Sequence, residues 1–175
     1  MKRFLITTAR FHRRQAFSLV EILIVIMIIG ILAAIAIPKL ANASQLTKEN
    51  ATKADLRLLR GQIGVYKSQH DVNPGYPHGD LAQPPTAATA FAQLLQYTDM
   101  AGNTSATGSA TYKWGPYFIQ IPVNPVNGNS DWKILSPSDP FTADGTTGWM
   151  YEPLSGAIKA NVVGNDSAGH AYTDY

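Results

Sequence analysis

Glu21 is the residue that most demands a chemical explanation. It lies in FSLVEILIVIMIIGILAAIAI, residues 17–37, where Ser18 is the only other polar side chain and the sixteen residues from Ile22 are all apolar or Gly. An ionisable group inside so apolar a run costs on the order of a few kcal/mol, so it marks a function and needs a partner. Just upstream, residues 1–16 carry Lys2, Arg3, Arg10, Arg13 and Arg14 and no Asp or Glu, a local charge of +5. Other candidates are thinner. His70, His78 and His170 with Asp71 and Asp80 could be imagined around a metal, but no HExxH or comparable ligand spacing joins them, and surface histidines are the plainer reading. There is no GxSxG elbow, no Walker loop and no GxGxxG, and the Ser, Asp and His residues follow no catalytic order, which argues against an enzyme. Zero Cys removes thiol nucleophiles, disulfide frameworks and Cys-based zinc sites together.

The element that carries Glu21 is membrane-grade. At about 1.5 Å of rise per residue, the 21 residues 17–37 reach roughly 32 Å as a helix, matching a hydrocarbon core of about 30 Å. The basic leader, followed only by the sparser Lys39 and Lys48, predicts a cytoplasmic N-terminus and an exported remainder. A cleaved secretory signal ending near Ala34-Ile35-Ala36 is the alternative; the length of the apolar run and the carboxylate near its start count against it. The rest of the 175-residue chain, 45% hydrophobic overall with three Trp, eight Tyr and six Phe, can build one modest core and is not a disordered composition.

These residues resemble the processing motif of the type IV pilins and of the pseudopilins of type II secretion systems. A basic leader ends in a small residue and is followed by Phe, Ser or Thr, Leu, an aliphatic residue and Glu. Here that reads Ala16, then Phe17-Ser18-Leu19-Val20-Glu21. The resemblance implies that a prepilin peptidase cuts after Ala16 on the cytoplasmic side and methylates the new amine of Phe17, while the helix stays as an anchor. The family usually has Gly before the cut, where this chain has Ala16. The cationic amine of Phe17 on one subunit can neutralise Glu21 of a neighbour, so that each buried charge meets an opposite one and subunits stack at a defined offset. Pro38 matches a position where these helices bend or loosen, as loss of a backbone donor would allow.

Beyond Lys39 the pattern turns amphipathic. Leu56, Leu59, Ile63 and Tyr66 form one helical stripe, Lys53, Arg57 and Arg60 lie off it, and Glu49 with Lys53 is spaced for an i, i+4 ion pair. The helix is expected to run to about Gln69, giving a rod on the order of 75 Å with the membrane part. The Pro-Gly-Pro cluster at 74–77 stops it. A second helix is expected over Ala87–Met100, capped by Thr86, then a polar loop over 101–111. Strands are expected at Tyr117–Ile121 and Trp132–Leu135. A hairpin of Trp149–Glu152 against Ala157–Val162 should turn around Leu154-Ser155-Gly156, with Ile158, Ala160 and Val162 on one side.

The expected fold class is α+β, a long N-terminal helix with a transmembrane half and an amphipathic half, packed on a small antiparallel sheet head. The expected organisation is a cleaved leader (1–16), a transmembrane and assembly helix (17–38), an amphipathic continuation (39–70) and a periplasmic head (71–175). The order of rod, Tyr-Pro turn, short helix, Gly115-Pro116-Tyr117 and terminal hairpin is also similar to the major pseudopilin, in which a loop near the C-terminus often holds calcium. Asp131, Asp139 and Asp144 lie in a comparable region; calcium and plain solvated loop acids both remain open there, and no other cofactor is expected.

Charge is segregated along the chain. The whole chain is +2, with a pI near 8.8, but without residues 1–16 it has 9 Lys+Arg against 12 Asp+Glu. Beyond His70 only Lys113, Lys133 and Lys159 face nine acids. The basic pI therefore belongs to the leader, and no nucleic-acid partner is expected. The reading is a structural subunit of a type II secretion pseudopilus in the inner membrane. Its implied partners are copies of itself, other pseudopilins, the prepilin peptidase and the inner-membrane secretion platform. The alternatives are a type IV pilus subunit for adhesion, motility or DNA uptake, and a membrane-anchored binding domain that never polymerises.

Overall fold

A computed structural model describes residues 17–175. The basic leader and Ala16 lie outside the described residues. One long helix, α1, spans Leu19–His70, and the chain divides after Ala41 into two compact units.

In the first unit, Ser18 starts α1. Its hydroxyl accepts the Val20 N–H at 3.3 Å and its carbonyl accepts Ile22 N–H at 3.2 Å, satisfying donors that a helix start leaves open. From there the apolar residues face outward all round: none of the most hydrophobic window of 18 residues is buried. This is the one helix among the described residues long and apolar enough to cross a membrane. Pro38 sits inside α1 and does not end it.

The second unit, Asn42–Tyr175, is organised by the other half of α1. Its buried positions are Glu49, Thr52, Leu56, Leu59, Ile63, Tyr66 and His70, alternating in steps of three and four along one face. The apolar middle of that stripe is the one expected from sequence; the polar ends at Glu49, Thr52 and His70 extend it. The helix stops at His70 because Asp71 takes a left-handed conformation (φ 61°) while its N–H still reaches Lys67 O at 2.9 Å.

The second helix, α2, covers Ala87–Leu95 and starts where expected, with the Thr86 hydroxyl accepting Thr89 N–H at 3.0 Å. It ends five residues earlier than the periodicity predicts. Asp99 folds the chain back by accepting the N–H groups of Ala101 and Asn103, so that β1 (Tyr97–Thr98) pairs antiparallel with β2 (Thr104–Ser105). Tyr117–Ile121 is not a strand. The N–H groups of Tyr117 and Phe118 both go to Leu94 O at the end of α2, at 2.9 and 3.0 Å, and Pro116 and Pro122 bracket the segment.

The main sheet has three strands in the order β3 (Trp132–Ile134), β4 (Trp149–Glu152) and β5 (Ala157–Ala160). The expected hairpin is present as the antiparallel β4–β5 pair, with Tyr151 opposite Ile158. Glu152 shapes its turn by accepting the N–H groups of Leu154 and Ser155 at 2.7 and 2.9 Å. The sheet differs from expectation in that β3 runs parallel to β4. The connection over 135–148 has the dozen or more residues a parallel return needs. At its end Gly148 is required by close approach, since a Cβ there would lie 2.1 Å from Asn129 O.

Helix and sheet share one core. Leu56, Leu59, Ile63 and Tyr66 pack with Ala90 and Leu94 of α2 and with Trp132, Trp149, Tyr151, Ile158 and Ala160 of the sheet. Trp149 is fully buried, and its indole N–H donates to Pro122 O at 3.0 Å. Leu59 is likewise fully buried at the centre of the seam. Leu59→Ala is expected to destabilise this unit by about 2–5 kcal/mol through lost burial and the cavity left behind. Thermal unfolding followed by tryptophan fluorescence would measure it, and an unchanged midpoint would contradict the seam as the main source of stability.

Candidate functional site

Two groups of residues stand out, one at the start of α1 and one where the C-terminal segment meets its second half. At the start, Phe17 is 76% exposed and Glu21 is exposed in the first turn, where a carboxylate is favoured by the helix dipole. Ser18 to Glu21 also has the Ser-x-x-Glu spacing of a capping box, a local signal that the sequence reading passed over because it weighed Glu21 only as a membrane charge. The box itself is not formed: the Ser18 hydroxyl accepts the Val20 N–H rather than that of Glu21, and Glu21 has no partner among the described residues.

The second group was not foreseen as a unit. Glu49 is buried, and its carboxylate accepts Ser167 N–H at 2.9 Å, Ser167 Oγ–H at 2.7 Å and the Gln45 amide at 3.1 Å. Gln45 also donates to the Tyr172 hydroxyl at 2.7 Å. Lys53 therefore does not pair with Glu49 as expected. Its Nζ lies 3.5 Å from Asp166 and 4.1 Å over the Tyr175 ring. Asp166 accepts the N–H groups of Ala168 and His170 at 2.9 Å each and the Tyr175 hydroxyl at 2.8 Å. Together these contacts clamp residues 166–175 onto α1. The signal available in sequence was the odd carboxylate at Glu49, three residues ahead of Thr52 and in register with the apolar stripe.

The electrostatics follow from these bonds. The Ser167 hydroxyl, Ser167 N–H and Gln45 amide hold Glu49 below the ordinary carboxylate range against the upward push of burial. Burial also pushes Asp166 up, but the His170 N–H, the Tyr175 hydroxyl and the Ala168 N–H outweigh it and bring it down to about 2. The other acids and histidines do not converge. Asp144 is engaged by Lys133 Nζ at 2.7 Å, by Thr146 and by Asn161, and these bonds, Lys133 first, lower its pKa. Asp139 accepts Ser136 N–H at 2.9 Å, and Asp131 is exposed. His70 is buried between Tyr66 O and the Thr98 hydroxyl, His78 meets Asn103, and His170 lies beside Asp166. Among the described residues, no three His, Asp or Glu side chains gather as a metal site would require.

The chain is similar to known proteins. Residues 11–37 match the prokaryotic N-terminal methylation motif. Competence protein ComGC of Halalkalibacterium halodurans is 36% identical over 64 residues, which are 37% of this chain and 63% of that protein. The chain thus spans a little less than two thirds of that relative. Type II secretion system core protein G of Klebsiella pneumoniae is 26% identical over 126 residues, 72% of this chain and 77% of that protein. Fimbrial protein Q of Moraxella bovis is 31% identical over 112 residues, 57% of this chain and 67% of that protein. The chain belongs to the type IV pilin and pseudopilin family. Membership makes it a structural subunit, of a kind that assembles with others like it and carries a single apolar N-terminal helix as anchor. No solved structure matches it.

Within this pilin-like subunit the clamp predicts an acid limit. Both carboxylates have folded-state pKa values below their unfolded ones, so their contribution is present above the unfolded values and is lost as pH falls through the folded ones. The unfolding midpoint is expected to drop as pH is lowered from about 5 to about 2. Glu49→Gln should lower the midpoint at neutral pH and flatten this acid limb. An acid limb unchanged in Glu49→Gln would show that the clamp does not set it.

Proposed function

We propose that this chain is a subunit of a type II secretion pseudopilus, held in the bacterial inner membrane with its N-terminus cytoplasmic and its head periplasmic. The observation that carries this reading is the similarity to core protein G, which runs over 72% of the chain and so reaches well into the head, beyond what the methylation motif at residues 11–37 covers. In this reading a prepilin peptidase hydrolyses the Ala16–Phe17 bond and methylates the amine of Phe17. The mature subunit then joins copies of itself and other pseudopilins on the inner-membrane secretion platform, extending a filament that moves exported proteins outward. No cofactor belongs to this reading: Asp144 is engaged by Lys133, Asp139 by the Ser136 N–H, and the acids of this loop are taken as solvated side chains.

Glu21 acts in this scheme as a register device. Its carboxylate, exposed in the first turn of an apolar helix and without a partner among the described residues, costs on the order of a few kcal/mol in hydrocarbon. A methylated, cationic amine from a neighbouring Phe17 removes that cost at one axial offset and not at others. A type IV pilus subunit is the second reading, supported by the 31% identity to fimbrial protein Q.

Intact-mass analysis of the chain expressed with a prepilin peptidase is expected to give a product beginning at N-methyl-Phe17. A product starting at or beyond Ile37, or an uncut chain, would overturn the processing step. Glu21→Ala is expected to be cleaved normally and to leave little sheared filament; wild-type filament yield from that variant would remove the pairing argument. Loss of export of secretion substrates when the chain is deleted, with surface pili intact, separates the pseudopilus from the pilus reading.

A further inference from the structure

One groove on the head is built without charge. Its walls are the turn at His78, the flank of α2 at Thr89, and the segment from Gly102 to Thr104 with Tyr112 beside it, and they enclose about 580 Å³, a size usual for small-ligand sites. None of the residues that line it is Asp, Glu, Lys or Arg, although nine acids lie beyond His70. Gln93 of α2 ties the walls together. It is buried, its side-chain carbonyl accepts Gly75 N–H at 2.8 Å, and its amide donates to Tyr76 O and Gly102 O at 3.0 Å each. The walls are thus held in one arrangement before anything binds.

His78 is the second observation. Its backbone is left-handed, at φ 52°, where Gly would sit more easily, so the turn itself does not require an imidazole. The ring is nevertheless oriented. Asn103 donates its amide to Asp99 at 2.8 Å, which turns its carbonyl oxygen toward His78 Nδ1. A carbonyl only accepts, so in the neutral ring Nδ1 carries the hydrogen and Nε2 is left as an acceptor. The hydroxyls of Thr104 and Tyr112, which line the same groove, have no hydrogen-bond partner among the described residues.

This set of groups selects a ligand class. A charged ligand would give up its water and meet no opposite charge. A purely apolar one would leave His78, Thr104 and Tyr112 with unpaired polar groups. A sugar ring meets both demands, because its hydroxyls donate and accept while its weakly positive C–H face suits the negative face of an aromatic ring such as Tyr112. We propose that the groove between His78, Thr104 and Tyr112 binds an uncharged hexose unit of an oligosaccharide. This goes beyond the filament role and does not depend on it, since binding is read on single subunits.

The test titrates the full chain, dispersed in a detergent without a sugar headgroup, with maltotriose and with N-acetylated chitotriose, and follows saturation transfer by NMR. At least one is expected to bind, maltotriose standing for plain hexose polymers and chitotriose for N-acetylated glycan strands. Tyr112→Ala and His78→Gly are each expected to weaken that binding by about tenfold. Gly suits the left-handed turn, so the unfolding midpoint of His78→Gly is expected at or above that of the wild type, and its loss of binding is then not loss of fold. Binding of neither sugar overturns the proposal, and so does binding that either variant leaves unchanged. A galacturonate trimer that binds as well as the neutral sugars removes the selection against charge and overturns it too. Transfer to a tryptophan-containing tripeptide but to neither sugar gives the groove to a polypeptide, with the same result.

Discussion

The head depends on one seam, where the row Leu56, Leu59, Ile63 and Tyr66 of α1 is covered by aromatic residues from the sheet. Half of a helix whose remaining residues are exposed apolar side chains has no reason to keep a single rotational setting, and this seam supplies it. Trp149, Tyr151 and Trp132 bring large buried areas from short strands, and the sheet is too small to be stable without the helix under it. Everything polar on the head is positioned relative to that packing, including the acid-held turns at Asp99 and Glu152 and the clamp at Glu49.

The two halves of α1 use the same secondary structure for opposite ends. Up to Ala41 the helix hides its backbone polar groups and presents hydrocarbon in every direction, which suits lipid or the flanks of like helices. Beyond Asn42 burial sets in along one stripe, and the basic residues take the faces left open. The carboxylates follow the same division: Glu21 meets no partner among the described residues, whereas Glu49 is fully occupied among them.

Periodicity carried much of this architecture into view. The α1 stripe, the Thr86 cap and the β4–β5 hairpin rest on local spacing or on a short turn, and local spacing is written in consecutive residues. Apart from the early end of α2, which Asp99 causes locally, the departures come from partners far away in the chain. Tyr117–Ile121 alternates like a strand, but Leu94 O takes its N–H groups. Glu49 looked like the partner of Lys53 four residues on, but Ser167 claims it and Asp166 takes Lys53. The parallel direction of β3 depends on where a long loop returns, and nothing local specifies it. At the site, Phe17 and Glu21 were legible because a motif of consecutive residues contains them, whereas the clamp joins two segments that carry no motif.

The clamp also sets an order of events in the life of the molecule. Ser167 and Glu49 are 118 residues apart, and no covalent cross-link stands in for their bonds in a chain without Cys. Closing so long a loop is slow and gains nothing until both ends are present. While the chain is being made, Glu49, Gln45 and Lys53 therefore wait without their partners, and this side of the head stays open. Without residues 166–175 the seam of Leu56, Leu59, Ile63 and Tyr66 against the sheet would remain, but Tyr172 and this latch would be gone, so the head has a physical checkpoint for the arrival of that segment.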